Sequence, residues 1–150
     1  EGRLQFACAD LAAGDDDANQ PLQLTSSMSE LRVTAVVCNG AKVSHASAYK
    51  DLRAVNVFGA LRCFRLAVSV RARRFVFVSS IAAVPPRPVE ADGGGASFAP
   101  ITPSELLSRR DDGYGQSKAV AEAALFHAAT SSADGCTLRI VRPSLIGPHR

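Results

Sequence analysis

The chain contains no tryptophan, one methionine, two tyrosines and three lysines among its 150 residues. Chemistry that depends on a tyrosine or a lysine is therefore confined to a few positions. No stretch is long and apolar enough to span a bilayer, and none reads as a signal peptide, so a cytoplasmic, reducing compartment is expected. Four cysteines (Cys8, Cys38, Cys63, Cys136) form no CxxC pair. The three histidines (His45, His127, His149) share no ligand spacing, which argues against a metal site. Cys8, Cys38 and Cys136 fall within or at the end of β-like runs, where buried thiols are expected rather than disulfides. Seventeen basic against fourteen acidic residues leave a formal net charge of +3, too small to suggest nucleic acid or a membrane surface as partner.

What is present is a set of apolar segments with two different periods. Hydrophobic residues make up 47% of the chain, enough for a core. Leu4 to Asp10, Val33 to Cys38, Arg74 to Ser80 and Cys136 to Val141 read as strands. "VTAVVC" at Val33 is β-branched and continuous, the pattern of a strand buried on both faces. Between Ala48 and about Val70, Leu52, Val55, Phe58, Ala60, Leu61, Phe64, Ala67 and Val68 recur at helical spacing. A second helix starts at a cap on Asp111 or Asp112 and places Tyr114, Lys118, Ala121, Leu125 and Ala128 on one face. The Pro- and Gly-rich stretch between Ser80 and Asp111 has no sustained period, and a short helix is expected near Ser26. Strands alternating with helices predict an α/β fold with a parallel sheet covered on both faces. Ligands bind such sheets at the carboxyl ends of the strands, and three notable stretches fall there: Asn39–Gly40–Ala41, Ser79–Ser80 and Arg142–Pro143–Ser144.

Tyr114 and Lys118 stand one helical turn apart and face the same way. Alone, such a pair is more often a surface accident than a site. A tyrosine is a poor acid or base near neutrality, and a neighbouring ammonium is expected to lower its pKa. A serine hydroxyl from the mouth of the adjacent strand, Ser80 or its neighbour Ser79, completes a set suited to proton transfer onto a carbonyl that receives hydride.

These residues, with "AVVCNGAKVSH", "YKDLRAVNVFGALRCFRLA", "RFVFVSS", "GYGQSKAVAE" and "IVRPSLIG" in that order, resemble the extended short-chain dehydrogenase/reductase superfamily. Within it the chain is most similar to thioester reductase domains: the terminal reductases of non-ribosomal peptide and polyketide synthases, carboxylic acid reductases and α-aminoadipate reductases. The resemblance implies a Rossmann-like, doubly wound parallel sheet. It implies NADPH as cofactor, NADH being the other candidate, and an acyl thioester on a phosphopantetheinyl carrier domain as substrate. Tyr114 would protonate the carbonyl oxygen, Ser80 would polarise it, and Lys118 would hold the nicotinamide ribose. Asn39, Gly40 and Ala41 would line the cofactor, Asp10 would sit near the adenine, and Arg142, Pro143 and Ser144 would form the turn beside the nicotinamide. Asn56 matches the family's helix asparagine, and a buried amide tying helix to sheet is as good a reading of it as a ligand role.

The departures from the family pattern are specific. The family often has histidine at the position of Cys38 and asparagine at that of Ser44, and "RPG" in place of "RPS". The Gly-rich dinucleotide fingerprint has no counterpart, since Gly93–Gly94–Gly95 lie in a Pro-rich stretch and not between strand and helix. Residues 1–150 are therefore expected to be the central part of one NAD(P)-binding domain, a fragment lacking the first βαβ unit and inactive in isolation. A nucleotide-sugar epimerase or dehydratase, a sterol- or flavonoid-type reductase, and a non-catalytic NADP-binding domain are the competing expectations.

Overall fold

The computed structural model describes residues 8–12, 22, 32–44, 46–84, 112–132 and 135–144. Three strands, β1 (Ala35–Cys38), β2 (Arg74–Val78) and β3 (Thr137–Val141), form one parallel sheet in the order β1-β2-β3. Between β1 and β2 run α1 (Tyr49–Arg53), a π-helical segment (Ala54–Phe58) and α2 (Gly59–Ser69) as one continuous helical stretch. A 3-10 turn (Ile81–Ala83) follows β2, and α3 (Gly113–Ser131) precedes β3. This is the parallel α/β arrangement expected from the alternation of strand and helix, and it agrees with the Rossmann-like sheet that the resemblance implies.

The register explains which side chains meet the helices. Val36 pairs with Phe75 and Phe75 with Leu138; Cys38 pairs with Phe77 and Phe77 with Ile140. Side chains alternate along a strand, so this row turns to one face, under α2 and α3. Phe75 and Phe77 are fully buried there with Phe64, Ala67, Ala121 and Leu125. The Phe64 ring meets Phe75 edge-on at 5.3 Å, a favoured aromatic geometry.

The opposite face corrects an expectation. Val37 is 63% exposed and Val141 48% exposed, so β1 is not buried on both sides among the described residues. The described helices lie on a single face, and Val37 points away from them. The strands are also shorter than the apolar runs that announce them. β1 starts at Ala35 rather than Val33, β2 stops at Val78 before Ser79, and β3 starts at Thr137. Residues 4–7 of the first expected strand and the short helix expected near Ser26 lie outside the described residues. Cys8, Ala9 and Asp10 are exposed and not in a strand, because the chain turns there: the Ala12 N–H donates to the Asp10 carboxylate at 2.8 Å. Cys8 is accordingly an exposed thiol, not a buried one.

The long helical stretch starts at Tyr49 and ends at Ser69 much as the periodicity implies, but its interior departs from a regular α-helix. The Gly59 N–H reaches back to the Ala54 carbonyl, a wider turn that directs Asn56 and Val57 inward with Leu52. At its far end Arg71 takes the left-handed conformation (φ 55). Ala72 N–H donates to Ala67 O and Arg71 N–H to Val68 O, a Schellman closure that glycine usually makes. At the start of α3, Asp112 caps the helix by accepting from the Gly115 N–H at 2.9 Å. Gly113 presses against the backbone that enters α1: a Cβ there would lie 2.6 Å from Tyr49 N and 2.8 Å from the Ala48 carbonyl carbon. That close approach brings the first turn of α3 to the sheet's carboxyl edge.

Candidate active site

Because the three strands are parallel, Cys38, Val78 and Val141 all end on one side of the sheet, and the segments that follow them converge there. The α3 helix crosses above this edge. Its buried face carries Tyr114, Ser117, Lys118, Ala121, Glu122 and Leu125.

Tyr114 and Ser80 lie together: the Ser80 hydroxyl is near enough to the phenol to favour its ionised form. Ser80 also caps the 3-10 turn, accepting from Ala82 N–H at 3.2 Å, which holds its hydroxyl in place. Ser79 is the different case. It is buried, its hydroxyl finds no hydrogen-bond partner among the described residues, and its N–H completes the ladder to Val141 O at 2.8 Å. Of the two candidate serines, Ser80 is the one beside the phenol.

Lys118 is 2% exposed. Its ammonium donates to the Val78 carbonyl at 2.9 Å and stands over the Phe77 ring, 4.8 Å from the centroid. Burial lowers its pKa, while the charges of Cys38 and Glu122 oppose that. The spacing alone predicts that the lysine lowers the tyrosine pKa, and the geometry gives the reverse balance. Burial raises the Tyr114 pKa, the Ser80 hydroxyl offsets part of this, and the Asp112 charge adds to the rise. The ammonium is committed to a carbonyl and a ring instead, so Tyr114 is held as a neutral phenol, the form that can give a proton.

Asn39 and Gly40 are exposed just past β1, with Ala41 half-buried behind them. Gly40 makes room for Leu11, whose Cδ1 would lie 2.6 Å from a Cβ at that position. Arg62 reinforces the contact by donating to Leu11 O at 2.8 Å. Asp10 is thereby carried next to the end of β1 although 28 residues separate it from Cys38. Asn56 is used up internally: its side-chain oxygen accepts from Lys42 N–H at 2.8 Å, and its NH2 donates to Lys42 O at 3.0 Å and Ser117 Oγ at 2.9 Å. Ser117 donates its own hydroxyl proton to Tyr114 O at 2.8 Å. Between the two readings of Asn56, the buried tie is the one this geometry describes.

Arg142 does not present its guanidinium to open space. It makes a two-toothed pair with Glu122, with Nε 2.9 and 3.1 Å from the two carboxylate oxygens. Pro143 O accepts from Ile81 N–H at 3.1 Å, which draws this turn beside Ser80, and Ser144 is exposed. Sequence reasoning misses Glu122. Its signal is its position four residues after Lys118, on the same helical face, with an arginine one residue past the neighbouring strand. Ser117, between Tyr114 and Lys118, carries no comparable signal.

Residues 19–150 match the family model NAD_binding_4, described as male sterility protein. The chain is 32% identical over 123 residues to an NRPS-like oxidoreductase, fscA, of Fusarium equiseti, covering 78% of the chain and 11% of that protein. It is 33% identical over 126 residues to the L-2-aminoadipate reductase large subunit of Penicillium chrysogenum, covering 77% of the chain and 8% of that protein. Among solved structures, the terminal R domain of the myxalamid PKS-NRPS biosynthetic pathway superposes with a TM-score of 0.60 at 33% identity, over 85% of this chain and 32% of that one. The chain thus spans about a tenth of the curated relatives it matches and about a third of that domain.

Proposed function

We propose a function from one premise: the chain belongs to the NAD_binding_4, or male sterility protein, family. Residues 1–150 form the central part of one NAD(P)-binding domain, and the protein that carries them reduces a carrier-bound acyl thioester to an aldehyde. The observation that supports this most directly is the buried Tyr114 beside half-buried Ser80, one helical turn from Lys118 at the carboxyl edge of the sheet. The relatives named as an NRPS-like oxidoreductase and an aminoadipate reductase favour a thioester over a sugar nucleotide. NADPH is the reductant in this reading, with NADH to be compared directly.

The residues present fit such a cofactor. Asn39 and Gly40 expose backbone at the end of β1, with Leu11 filling the space that a Gly40 side chain would need. The Lys118 ammonium lies just inside that edge, at the Val78 carbonyl. A bound nicotinamide would supply the hydride. Tyr114, neutral through burial, gives its hydroxyl proton to the carbonyl oxygen of the thioester, and Ser80 donates to the same oxygen and steadies its developing charge. Lys118 would hold the cofactor's ribose with the donors its bond to Val78 O leaves over. The thiohemiacetal then loses its thiol and leaves the aldehyde.

The test is reductant oxidation by the full-length protein with an acyl thioester, for the wild type and Tyr114→Phe. Aldehyde formed by the wild type and lost in the variant supports the assignment. Equal turnover in both would remove Tyr114 from the chemistry, and no turnover with any thioester would remove the substrate class.

A further inference from the structure

The Glu122–Arg142 pair has no part in the reaction just described, but it joins the two pieces of backbone that carry the reacting hydroxyls. Tyr114, Lys118 and Glu122 follow one another at four-residue steps along the buried face of α3. The Glu122 carboxylate accepts from Arg142 Nε at 2.9 and 3.1 Å and also from Nη2. The arginine and glutamate side chains are 11% and 4% exposed, so water screens the pair little. The backbone around Arg142 meets the segment that leaves β2. Ser79 N–H donates to Val141 O at 2.8 Å, and Ile81 N–H donates to Pro143 O at 3.1 Å. Ser80 is thus framed by bonds to the residues on either side of Arg142. We propose that Glu122 and Arg142 are positioning residues: a buried crosslink that sets Tyr114 on α3 against Ser80 beyond β2.

The geometry of the anchors carries this. Lys118 ties α3 to β2 at Val78 O, 2.9 Å away, and one turn later Glu122 ties the same face to the residue that follows β3. One anchor alone would leave the helix free to roll about it. Two anchors on adjacent turns, to two different strands, fix both its rotation and its sliding. The second anchor is directional, because a forked guanidinium meets a carboxylate in one plane. The Nε–Nη2 edge of Arg142 is engaged by Glu122, so the arginine acts through its backbone neighbours and not by touching a reacting atom. A buried ion pair adds little net stability over apolar side chains of the same size, which leaves geometry as what this one supplies.

The inference rests on the reductase reading above, and its test separates the two. The full-length protein is compared as wild type, Glu122→Gln, Arg142→Lys and the double variant E122M/R142M. Four quantities are measured: kcat with an acyl thioester per folded molecule, NADPH affinity by its fluorescence, the urea midpoint, and hydrogen exchange at the Ile81 amide. In Glu122→Gln, kcat should fall by about tenfold or more, since small misplacements of reacting groups carry large penalties. NADPH affinity should stay unchanged, and Ile81 should exchange faster as Pro143 O loosens. In the double variant two apolar side chains replace two buried charges, so the urea midpoint should return toward wild type while kcat does not.

A double variant that regains kcat together with its midpoint would overturn the proposal, because the pair would then only stabilise the fold. Loss of kcat with unchanged Ile81 exchange would also overturn it: Glu122 would then act through its charge on Lys118, whose ammonium it favours. Weaker NADPH binding with kcat kept in Arg142→Lys would make the arginine a cofactor ligand instead. If the wild type turns over no thioester, the reductase reading fails on its own, and the Ile81 amide still decides the crosslink. Faster exchange in Glu122→Gln supports it there, and exchange at the wild-type rate refutes it.

Discussion

Replacing Asn56 tests the reasoning about the site's frame at its most connected point. The side chain is 1% exposed and makes three hydrogen bonds, two to the backbone of Lys42 and one to Ser117. A typical intramolecular hydrogen bond contributes about 0.5–1.5 kcal/mol net, so Asn56→Ala is expected to cost roughly 2–4 kcal/mol. Lys42 is exposed and water can replace part of what its backbone loses, which holds the figure below the sum of three full bonds plus a cavity. Asn56→Asp is more diagnostic. The carboxylate keeps an acceptor for Lys42 N–H but turns a second oxygen toward Lys42 O, where the amide donated. Ser117 can meet the new oxygen only by donating to it, and so must release Tyr114 O. Both variants should lower the urea midpoint of the reductase domain, and hydrogen exchange should quicken at residues 42–44 and in the first turn of α3. If Asn56→Asp unfolds at the wild-type midpoint with unchanged exchange at Gly115 and Gln116, the described network does not hold the site.

Three other outcomes follow from separate contacts. Gly113→Ala forces a methyl group against the backbone of Ala48 and Tyr49, which cannot swing aside as a side chain tip can, and should cost about 1–3 kcal/mol and misplace Tyr114; an unchanged melting temperature would contradict the close approach. Arg142→Lys keeps the charge but loses the two-toothed grip on Glu122, and because both side chains are largely shielded the loss should reach about 2 kcal/mol in urea denaturation, well above an exposed pair. Arg71→Gly relieves a left-handed, exposed residue at the end of α2 and should raise stability by about 1 kcal/mol, so a lower urea midpoint would contradict the cap.

Residues that repeat with a period are legible in the sequence alone. Phe75 and Phe77 announce a buried strand, and Tyr114, Lys118, Ala121 and Leu125 announce one helical face. The ends of those elements are not legible, because an apolar run records what is buried and says nothing about where the ladder of hydrogen bonds stops. Val33 and Ser79 are apolar or small neighbours of strands without belonging to them. The widened turn at Ala54–Phe58 is also hidden. It keeps every residue type of a helix and changes only which side Asn56 faces. The Ser80–Tyr114 contact is readable because both residues sit at predictable ends of elements. Glu122 with Arg142 is not: that pairing spans two elements whose relative rotation only packing decides.

The direction of the Tyr114 shift gives the last prediction. Its pKa is raised above the ordinary 10.0 by burial, so the folded state holds the phenolic proton more tightly than the unfolded chain. By linkage, stability from this group is complete below pH 10 and is lost as pH rises through the higher folded value. Lys118 runs the other way: its folded pKa is depressed, so its contribution is present above the ordinary 10.5 and is lost as pH falls through the folded value. The two opposed groups share one helix face, and their effects separate by substitution. Tyr114→Phe removes the alkaline loss, and Lys118→Met removes the loss toward lower pH. For reduction, the proton donor must be the phenol, so kcat/KM should show no decline assignable to Tyr114 between neutrality and pH 10. A fall centred near neutrality that disappears in Lys118→Met would instead assign the titration to the lysine. A fall near neutrality that persists there would show that the phenol is not shielded as its burial requires.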